Sequence, residues 1–357
     1  MNTAAMPGAE PYSAEGGPEG ALVLHGFTGD PRSMRGVAER LAGAGLTVDL
    51  PLLPGHGTTV ADLVPMRWDD WAAAADEAYS AIARRCERVA VVGLSMGGGL
   101  ACWLGVRHPE IRGLALVNPI VKPPGDELRN AVRELLSSGT AIAPGIGSDI
   151  ADPEVREQGY DGTPLAAALS LFEGVEELAL RLGEIRCPVL LLSSREDHVV
   201  TTTNGDLLVA SVAGPCERVW LERSYHVATL DYDRQLVEDR IAEFVVSVTS
   251  AGGAGVSDPP SLGRDDVAHV AVLARLALGE EELERYTGQL ARVIEHARDV
   301  AALDVAGVAP TAHPLPVRNV LRPDVPGPCL TRDEALAAAP EVEDGRFKVP
   351  RIVGDAP

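Results

Sequence analysis

The 357-residue sequence predicts two structural parts: an α/β part with a mostly parallel sheet, then a small helical part with an extended tail. Two observations predict the sheet. Up to about residue 248, short apolar runs alternate with segments of helical periodicity, and chemically reactive side chains directly follow several of these runs. A third observation separates the parts, because a Gly-, Ser- and Pro-rich stretch at 250–261 is typical of a flexible linker.

Composition limits what the chain can bind. Its formal net charge of −21 argues against binding of nucleic acid through its own surface, because phosphate contacts need clustered Lys and Arg. Its five cysteines lie far apart without a Cys-x-x-Cys pair, which predicts a reduced, cytoplasmic setting and no metal site or cofactor in this chain. Residues 1–19 have neither a basic start nor an apolar centre, so we predict a disordered lead-in rather than a signal peptide.

The stretch Val89–Gly105 is the centre of the first part. An apolar run leads into GLSMG around Ser95, and small residues follow in a helix-compatible pattern. This order is typical of a nucleophile elbow, a sharp strand-to-helix turn that exposes the serine hydroxyl and needs nearly side-chain-free neighbours, here Gly93 and Gly97. A chance match is disfavoured by the flanking strand and glycines. A membrane span is disfavoured by five glycines and a length at the lower limit.

The elements before the elbow supply a second functional loop. The strand Ala21–Leu24 runs into HGFTG, where glycines allow a backbone N–H to approach an acyl oxyanion, so we predict the N–H groups of Phe27 and Met96 as the two oxyanion donors. His25 and His56 are interpreted as loop histidines that stabilise backbone rather than react. The remaining predicted elements here are the helix Ser33–Gly43, the strand Thr47–Leu50 and the helix Trp68–Arg85.

An interruption of the strand and helix alternation follows the strand Gly113–Val117. Residues 120–183 contain prolines, a Gly/Ala/Ser/Pro-rich middle and short helical pieces such as Leu165–Phe172. An insertion of this size between two sheet strands is typical of a lid over the site, and the alternative is an excursion without function.

The predicted acid and base follow the last two strands. Asp197 comes after the strand Pro188–Ser193, at the sheet edge where catalytic carboxylates belong, with Glu196 as its nearest competitor. His226 comes directly after the strand Arg218–Leu221 and is the predicted general base, whereas His198 is on the wrong loop. A closing helix, Asp233–Val248, completes the part.

The order Ser95, Asp197, His226 is the one expected for a serine hydrolase with this alternation of elements. A serine hydroxyl is protonated at neutral pH, so His226 would take its proton as Ser95 attacks an acyl carbon, and Asp197 would orient the imidazolium. Water would then hydrolyse the acyl-enzyme.

Residues 20–248 resemble the bacterial carboxylesterase and monoacylglycerol-lipase branch of the α/β-hydrolases. The resemblance depends on these stretches: LHGFTG (Leu24–Gly29), LPGHG (Leu53–Gly57), GLSMGG (Gly93–Gly98), the Asp197-x-Val-Val loop and Ser224-Tyr225-His226. It implies an α/β-hydrolase fold with a lid insertion and carboxylic-ester substrates of short or medium acyl chains. Residues 120–183 depart from the branch most, which leaves substrate size open.

The second part has apolar stripes without an evident core. A stripe from Val267 to Leu278 predicts one helix that Gly279 ends, and Glu280–Leu303 predicts another. Two helices of this size cannot bury both stripes alone, so a partner is expected. After Asp304 a proline-rich, partly apolar segment predicts either a tail that orders on a partner or an ordinary disordered tail. The capping box Thr331-x-x-Glu334 predicts a short helix at 332–339.

Residues 262–354 resemble the C subunit of the bacterial aspartyl/glutamyl-tRNA amidotransferase. The matching stretches are VAHVAVLARLAL, ELERYTGQLARVIEHARDVAALD, GVAPTAHPLPVRNVLRPD, LTRDEALAAAP and DGRFKVPRIV. The resemblance implies a non-catalytic scaffold that joins the amidase and kinase-like subunits in a heterotrimer. ATP, magnesium and glutamine would be bound by those partners, and tRNA would be contacted only through them.

The predicted organisation is therefore a fusion. Its ranges are a lead-in at 1–19, an α/β-hydrolase at 20–249 with a lid at about 120–183, a linker at 250–261, and a C-subunit-like domain at 262–357. The reaction catalysed by the partner subunits would form Asn-tRNA(Asn) or Gln-tRNA(Gln). Two alternatives stay open: the hydrolase is an inert passenger, or two neighbouring genes have been merged. The intact Ser95, Asp197 and His226 disfavour the first, and the lack of a methionine after Met96 disfavours the second.

Overall fold

The structure is a computed structural model that describes residues 4–145, 147–250, 267–268, 270–271, 274–301, 325, 327 and 329–348. By its contacts the chain divides into two compact units, Met1–Thr287 and Gly288–Pro357, and the division falls within the helix Glu280–Ala301. The predicted linker lies outside the described residues except for Ser250, so the predicted domain boundaries stay a prediction.

The first unit alternates strands and helices, as the apolar runs predicted. Its strands are β1 (Tyr12–Ala14), β2 (Glu19–Leu24), β3 (Thr47–Leu50), β4 (Arg88–Leu94), β5 (Leu114–Val117), β6 (Ile142–Pro144), β7 (Gly162–Pro164), β8 (Val189–Ser194) and β9 (Cys216–Leu221). Its helices are α1 (Arg35–Gly43), α2 (Val60–Leu63), α3 (Trp68–Ala83), α4 (Met96–Arg107), α5 (Asp126–Ser137), α6 (Leu165–Ala179), α7 (Thr203–Ser211) and α8 (Arg234–Thr249). Two 3₁₀ turns, Pro31–Met34 and Leu182–Glu184, lie among these elements. The same unit also includes the first residues of the helix Glu280–Ala301.

Seven strands form one sheet in the order β1, β3, β2, β4, β5, β8, β9. Only β1 runs antiparallel to its neighbour. In register, Leu24 pairs with Gly93, and Val117 pairs with both Leu94 and Leu192. The carboxyl ends of the central strands therefore meet at one edge, where crevices form in open parallel sheets.

Alternate residues of each strand enter two different cores, one on each face of the sheet. Leu22 and Leu24 pack with the buried residues of α3, α4 and α6, whereas Ala21 and Val23 pack with those of α1 and α8. This division follows from the two-residue period of a strand. It confirms the prediction of a parallel sheet covered on both faces.

The predicted disordered lead-in is wrong for the described residues before β2. Tyr12–Ala14 forms β1, which pairs with β3 from Tyr12 opposite Leu50 to Ala14 opposite Val48, and Ala9 is fully buried. The Arg35 guanidinium also lies 4.9 Å from the centre of the Tyr12 ring. The Gly- and Pro-rich composition concealed this strand because the open edge of β3, distant in sequence, supplies the backbone partners that order it.

The insertion between β5 and β8 contains α5, α6 and the small antiparallel pair of β6 with β7. The uncharged stretch around Ser95 is divided between β4 and α4, which excludes a single membrane-spanning helix there. Across the described part of the chain, no helix has both the length and the apolar content that a membrane span requires.

The C-terminal helices agree only partly with their predictions. The helix Glu280–Ala301 begins where predicted, and its predicted last residues lie outside the described ranges. The helix predicted from the stripe between Val267 and Leu278 ends earlier than that stripe does. Arg275 adopts a positive φ of 56° and the Leu276 N–H donates to the Ala271 carbonyl at 2.8 Å, a left-handed helix ending.

The last described segment contains a capped helix and an unpredicted hairpin. The predicted capping box is present, since the Thr331 N–H donates to Glu334 Oε2 at 2.8 Å, but the helix Arg332–Leu336 is shorter than predicted. Val342–Glu343 then pairs with Arg346–Phe347 through Asp344-Gly345, both at positive φ. Asp-Gly is a strong hairpin signal, so this turn was recognisable in the sequence.

Candidate active site

Ser95 lies at the junction of β4 and α4 in a strained backbone conformation, with φ of 54° and ψ of −115°. A non-glycine residue at such angles costs of the order of 1–3 kcal/mol and persists only where its surroundings enforce it. The Ser95 N–H donates to the Val117 carbonyl at 3.0 Å, and the Ser95 carbonyl accepts from the Gly99 and Ile120 N–H groups at 3.0 and 3.1 Å. These bonds hold the sharp turn that the motif predicted.

The glycines of the elbow are needed for close backbone approach. A Cβ on Gly93 would lie 2.1 Å from the Gly97 carbonyl oxygen, and a Cβ on Gly97 would lie 2.2 Å from the Leu24 carbonyl oxygen. Because Leu24 ends β2, the second contact places the loop after β2 directly against the serine turn. A Cβ on Gly26 would lie 3.4 Å from the Ser95 Cβ.

The two predicted oxyanion donors come from the two segments that meet here, the loop after β2 and the serine turn. Met96 is the first residue of α4, so its N–H is among the helix N-terminal donors that have no partner inside the helix. Phe27 follows Gly26 and lines the same cavity as Ser95. Both N–H groups are therefore positioned on the elements that the sequence assigned, and their role as oxyanion donors stays a prediction.

Asp197 and His226 form a buried pair. His226 Nδ1 and Asp197 Oδ2 are 2.8 Å apart, and only 8 % and 1 % of the two side chains are exposed. Asp197 Oδ1 accepts the N–H groups of Val199 and Val200 at 2.9 and 2.7 Å, which fixes the carboxylate. A proton on Nδ1 facing the carboxylate leaves the Nε2 lone pair of the neutral ring available as a base.

A cavity of about 480 Å³ contains the predicted nucleophile and base. Ser95 and His226 both line it, although the described residues include no hydrogen bond between the Ser95 hydroxyl and His226. Such bonds are often long in unliganded enzymes and tighten when substrate binds. The lid contributes much of the wall, and the apolar lining includes Phe27, Ile120, Leu128, Leu171, Phe172 and Val200.

The two loop histidines are structural. His25 Nδ1 donates to the Gly26 carbonyl at 2.9 Å, while its Nε2 accepts the Leu53 N–H at 3.1 Å. Burial lowers the pKa of His25 to about 4 and that of His56 to about 3, because the charged ring would lose its hydration. His56 Nδ1 bonds the Pro54 carbonyl at 3.0 Å. Both rings are thus neutral near pH 7 and hold the loops after β2 and β3.

The competitors of the predicted acid and base lie elsewhere. Glu196 is exposed, and the His198 side chain is 61 % exposed, with its Nδ1 2.8 Å from Asp149 Oδ1. Among the described residues, no group of three or more His, Cys, Asp or Glu side chains is arranged to hold a metal ion.

Glu157 is a cavity residue that the sequence did not identify. It comes from the lid, and a Cβ on Gly29 would lie 2.8 Å from its Oε1. Loss of hydration raises the pKa of Glu157 to about 6, which the positive charge of a protonated His226 would partly oppose. Among the described residues, no hydrogen bond to the carboxyl contributes to this shift in pKa. No local motif marks this residue, since only the fold brings the lid over the oxyanion loop.

Asn118 and Asp149 also escaped the sequence analysis. Asn118, at a positive φ of 43°, donates from Nδ2 to the His226 carbonyl at 2.8 Å and to Ser194 Oγ at 2.9 Å. Asp149, on the lid, accepts the N–H of His226 at 3.2 Å. The Asn-Pro pair after a strand could have indicated Asn118, because Asn tolerates a left-handed backbone conformation.

Comparison with known proteins agrees with this geometry over the first part. The family model described as serine aminopeptidase, S33, matches residues 18–233. A thermostable monoacylglycerol lipase of a Bacillus species is 42 % identical over 243 residues, which are 67 % of this chain and 95 % of the lipase. A solved structure from work on the metagenome-derived lipolytic enzymes LipS and LipT superposes with a TM-score of 0.65 at 40 % identity, covering 68 % of this chain and 99 % of that chain. The predicted α/β-hydrolase fold is thus confirmed.

A different family matches the second part. The model of the Glu-tRNA(Gln) amidotransferase C subunit matches residues 278–349. The C subunit of the aspartyl/glutamyl-tRNA(Asn/Gln) amidotransferase of Mycolicibacterium smegmatis is 56 % identical over 94 residues, which are 26 % of this chain and 95 % of that protein. Both predicted resemblances are therefore confirmed, each over nearly the full length of the relative.

Proposed function

Since the chain belongs to the serine aminopeptidase S33 family of α/β-hydrolases over residues 18–233 and to the amidotransferase C subunit family over residues 278–349, we propose that it is a serine carboxylic-ester hydrolase fused to an amidotransferase subunit. The hydrogen bond between Asp197 and His226 at the cavity that Ser95 lines is the observation that carries the hydrolase half.

The proposed reaction has two steps. His226 Nε2 takes the Ser95 proton as Oγ attacks the acyl carbon, and the N–H groups of Phe27 and Met96 donate to the oxyanion. The ester C–O bond breaks and the alcohol leaves with the proton from His226. Water then attacks the acyl-enzyme with His226 again as base, which releases the acid and restores the Ser95 hydroxyl. Asp197 keeps the imidazole oriented and stabilises its charge throughout.

We propose esters that join an acyl chain to a small polar alcohol, as in monoacylglycerols, as the substrate class. The largely apolar cavity suits the acyl chain, and the Glu157 carboxyl suits the hydroxyl groups of the alcohol. The 42 % identical relative, named for monoacylglycerol hydrolysis, supports this class. The family description also suggests a peptidase role. That role would require a site for the amino terminus and the peptide chain of a substrate, and the turnover of aminoacyl p-nitroanilides described next tests for it.

Full-length protein tests this proposal directly. We expect turnover of p-nitrophenyl octanoate and of a 1-monoacylglycerol, and much slower turnover of aminoacyl p-nitroanilides. Ser95→Ala is expected to lower ester turnover at least about 1000-fold because the nucleophile is lost. Ser137→Ala, at an exposed serine at the end of α5, is the matched control. Full activity of Ser95→Ala, or a preference for the anilides, would contradict the proposal.

We propose for the second part the role of the C subunit in a heterotrimer with the amidase and kinase-like subunits. Membership of the C subunit family implies association with other amidotransferase subunits. ATP, magnesium and glutamine would then be bound by those partners, and this chain would support formation of Asn-tRNA(Asn) or Gln-tRNA(Gln) without contacting tRNA. A cytoplasmic location stays a prediction.

An intact mass of the protein purified from its native cells tests the fusion. We expect one species near 37.5 kDa that co-purifies with the amidase and kinase-like subunits. Two smaller masses would mean two separate proteins whose genes have been merged. A single mass with an active amidotransferase but no ester turnover would mean that the hydrolase part is a passenger.

A further inference from the structure

The lid segment between β6 and β7 contacts both loops that carry the proposed acid and base. Its contact residue is Asp149, whose side chain is 14 % exposed and lines the cavity. Asp149 Oδ2 accepts the backbone N–H of His198, next to Asp197, at 3.1 Å, and the backbone N–H of His226 at 3.2 Å. One carboxylate oxygen therefore joins the acid loop to the base loop.

The backbone around the base is held from two sides. On the lid side, the His226 N–H donates to the Asp149 carboxylate and the Val227 N–H donates to the Asp149 carbonyl at 3.1 Å. On the sheet side, Asn118 Nδ2 donates to the His226 carbonyl at 2.8 Å. These three bonds fix both peptide planes that flank residue 226, and two of the three come from one lid residue.

A second carboxylate extends the same contact. Asp231 Oδ2 accepts the N–H groups of Ala151 on the lid and of Tyr225 on the base loop, at 2.7 and 2.9 Å. Asp231 Oδ1 accepts the Asp152 N–H at 3.1 Å. The lid residues 149–152 and the base loop 225–231 are thus joined by bonds in both directions, and Asp149 is the member of this network that reaches the base itself.

The other oxygen of Asp149 has a separate partner. Asp149 Oδ1 lies 2.8 Å from His198 Nδ1, and the His198 ring contacts the Tyr225 ring edge to face at 4.6 Å between centres. This contact orients the carboxylate so that Oδ2 faces the two backbone N–H groups. Hydrogen bonds from N–H groups to a carboxylate are stronger than those to a neutral acceptor.

We propose that Asp149 is a positioning residue, through which the lid sets the place of His226 relative to Ser95. The inference rests on the proposed function, because it assumes that His226 is the general base. It assigns to the lid a catalytic contribution in addition to its walls around the acyl chain. Loss of the Asp149 carboxylate should therefore lower kcat while KM changes little, because a base displaced by about 1 Å can cost about 100-fold in rate.

The test uses the full chain with two substitutions and a matched control. Asp149→Ala removes all three side-chain contacts. Asp149→Asn keeps an oxygen for the two backbone N–H groups and an amide for His198, so it should rescue. Asp152→Ala is the control, because Asp152 is on the same lid segment but its carboxylate caps only the Glu154 N–H, at 3.0 Å.

Two readouts separate positioning from a change in cavity shape. The first is the division of ester turnover into kcat and KM. The second is the rate at which diethyl p-nitrophenyl phosphate reacts with Ser95: an O–P bond forms, p-nitrophenolate leaves, and the serine proton goes to His226. This small reagent does not need the acyl-chain cavity, so its rate reports on the nucleophile and base.

We expect Asp149→Ala to lower both kcat and the phosphorylation rate about 10- to 100-fold, with Asp149→Asn and Asp152→Ala within about threefold of the parent. Unchanged kcat in Asp149→Ala, or a change confined to KM, would overturn the inference. If Asp149→Ala does not fold, Asp149→Glu replaces it, because the longer carboxylate displaces the His226 backbone. Unchanged kcat in Asp149→Glu overturns the inference, and a lower kcat at unchanged KM supports it.

Ser95→Ala, measured alongside, separates this inference from the proposed function. Activity that survives Ser95→Ala means that the proposed function has failed. An inactive Ser95→Ala together with a fully active Asp149→Ala means that only the role of Asp149 has failed.

Discussion

In the hydrolase part most apolar side chains fill two cores on either face of a sheet, although some, such as Leu180, are exposed. Among the far fewer described C-terminal residues, most large apolar side chains are exposed. Trp71, Leu24 and Leu100 of the first part are fully buried. In the second part Val293 and Leu330 are 62 % and 73 % exposed. Other exposed apolar residues there are Val270, Leu276, Leu290, Val325, Val342 and Phe347.

The difference indicates two ways in which a sequence can specify a structure. The first part contains its own partners, so that its strands and helices bury one another and a site forms where the strands end. The second part presents helical and extended segments whose apolar side chains need another surface. Its family relation to an amidotransferase subunit indicates what kind of surface that is. The two parts should therefore respond independently to substitution.

Asp197→Asn has the largest expected effect. It tests whether ester turnover depends on residues of the hydrolase part alone. The amide keeps its shape but cannot hold His226 in the same tautomer, so ester turnover should fall by about 1000- to 10,000-fold. Turnover of p-nitrophenyl octanoate is the measurement. Glu196→Gln, at the exposed neighbour, is the control and should be silent. A loss in both variants would mean that the loop, and not Asp197, is responsible.

Gly97→Ala tests whether the elbow requires close backbone approach. The new Cβ would lie 2.2 Å from the Leu24 carbonyl oxygen and 2.6 Å from the His25 carbonyl oxygen, and backbone atoms cannot move away cheaply. We expect a loss of about 3 kcal/mol or more in unfolding free energy, measured by urea denaturation. Gly43→Ala is the control, since its Cβ meets nothing within 4 Å; equal stability of both variants would contradict the packing.

Leu290→Asp tests the other side of the comparison. Leu290 is 40 % exposed on the helix Glu280–Ala301, so a charge there should disturb a partner surface and not the fold of this chain. We expect about 30- to 100-fold weaker binding to the amidase subunit, measured by titration calorimetry, with unchanged ester turnover. Gln289→Asp introduces the same charge one residue away as a control. Equal losses in both variants would indicate a general charge effect.

Glu157→Gln has the smallest expected effect and depends on pH. Because burial raises the folded-state pKa of Glu157 from 4.5 to about 6, ionisation costs the folded protein stability as pH rises through this range. The amide should therefore stabilise the protein by at most about 2 kcal/mol at pH 8 and by less than about 1 kcal/mol at pH 5. Urea denaturation at both pH values measures this.

Glu154→Gln is the control for that comparison, because Glu154 is an exposed carboxyl on the same lid segment. A stabilisation that is equal at pH 5 and pH 8, or equal in both variants, would argue against a raised pKa of the Glu157 carboxyl.

Sequence patterns predicted the elements of the hydrolase part well where the signal was local. The elbow needed only the apolar run of β4 and the glycines beside Ser95, and Asp197 and His226 were identified by their places after strands. The strand β1 was missed, because three residues in a Gly- and Pro-rich segment carry no period of their own. Their order comes from β3, more than 30 residues away in sequence.

By itself the sequence determined the fold class, the two families and the choice of Ser95, Asp197 and His226 as site residues, since turn geometry and strand period are encoded over a few neighbouring positions. Only the tertiary structure decided that Asn118, Asp149 and Glu157 belong to the same site. Asp149 and His226 are 77 positions apart. No local pattern can relate such positions, because the path of the chain over the sheet, set by burial of two separate cores, brings them together.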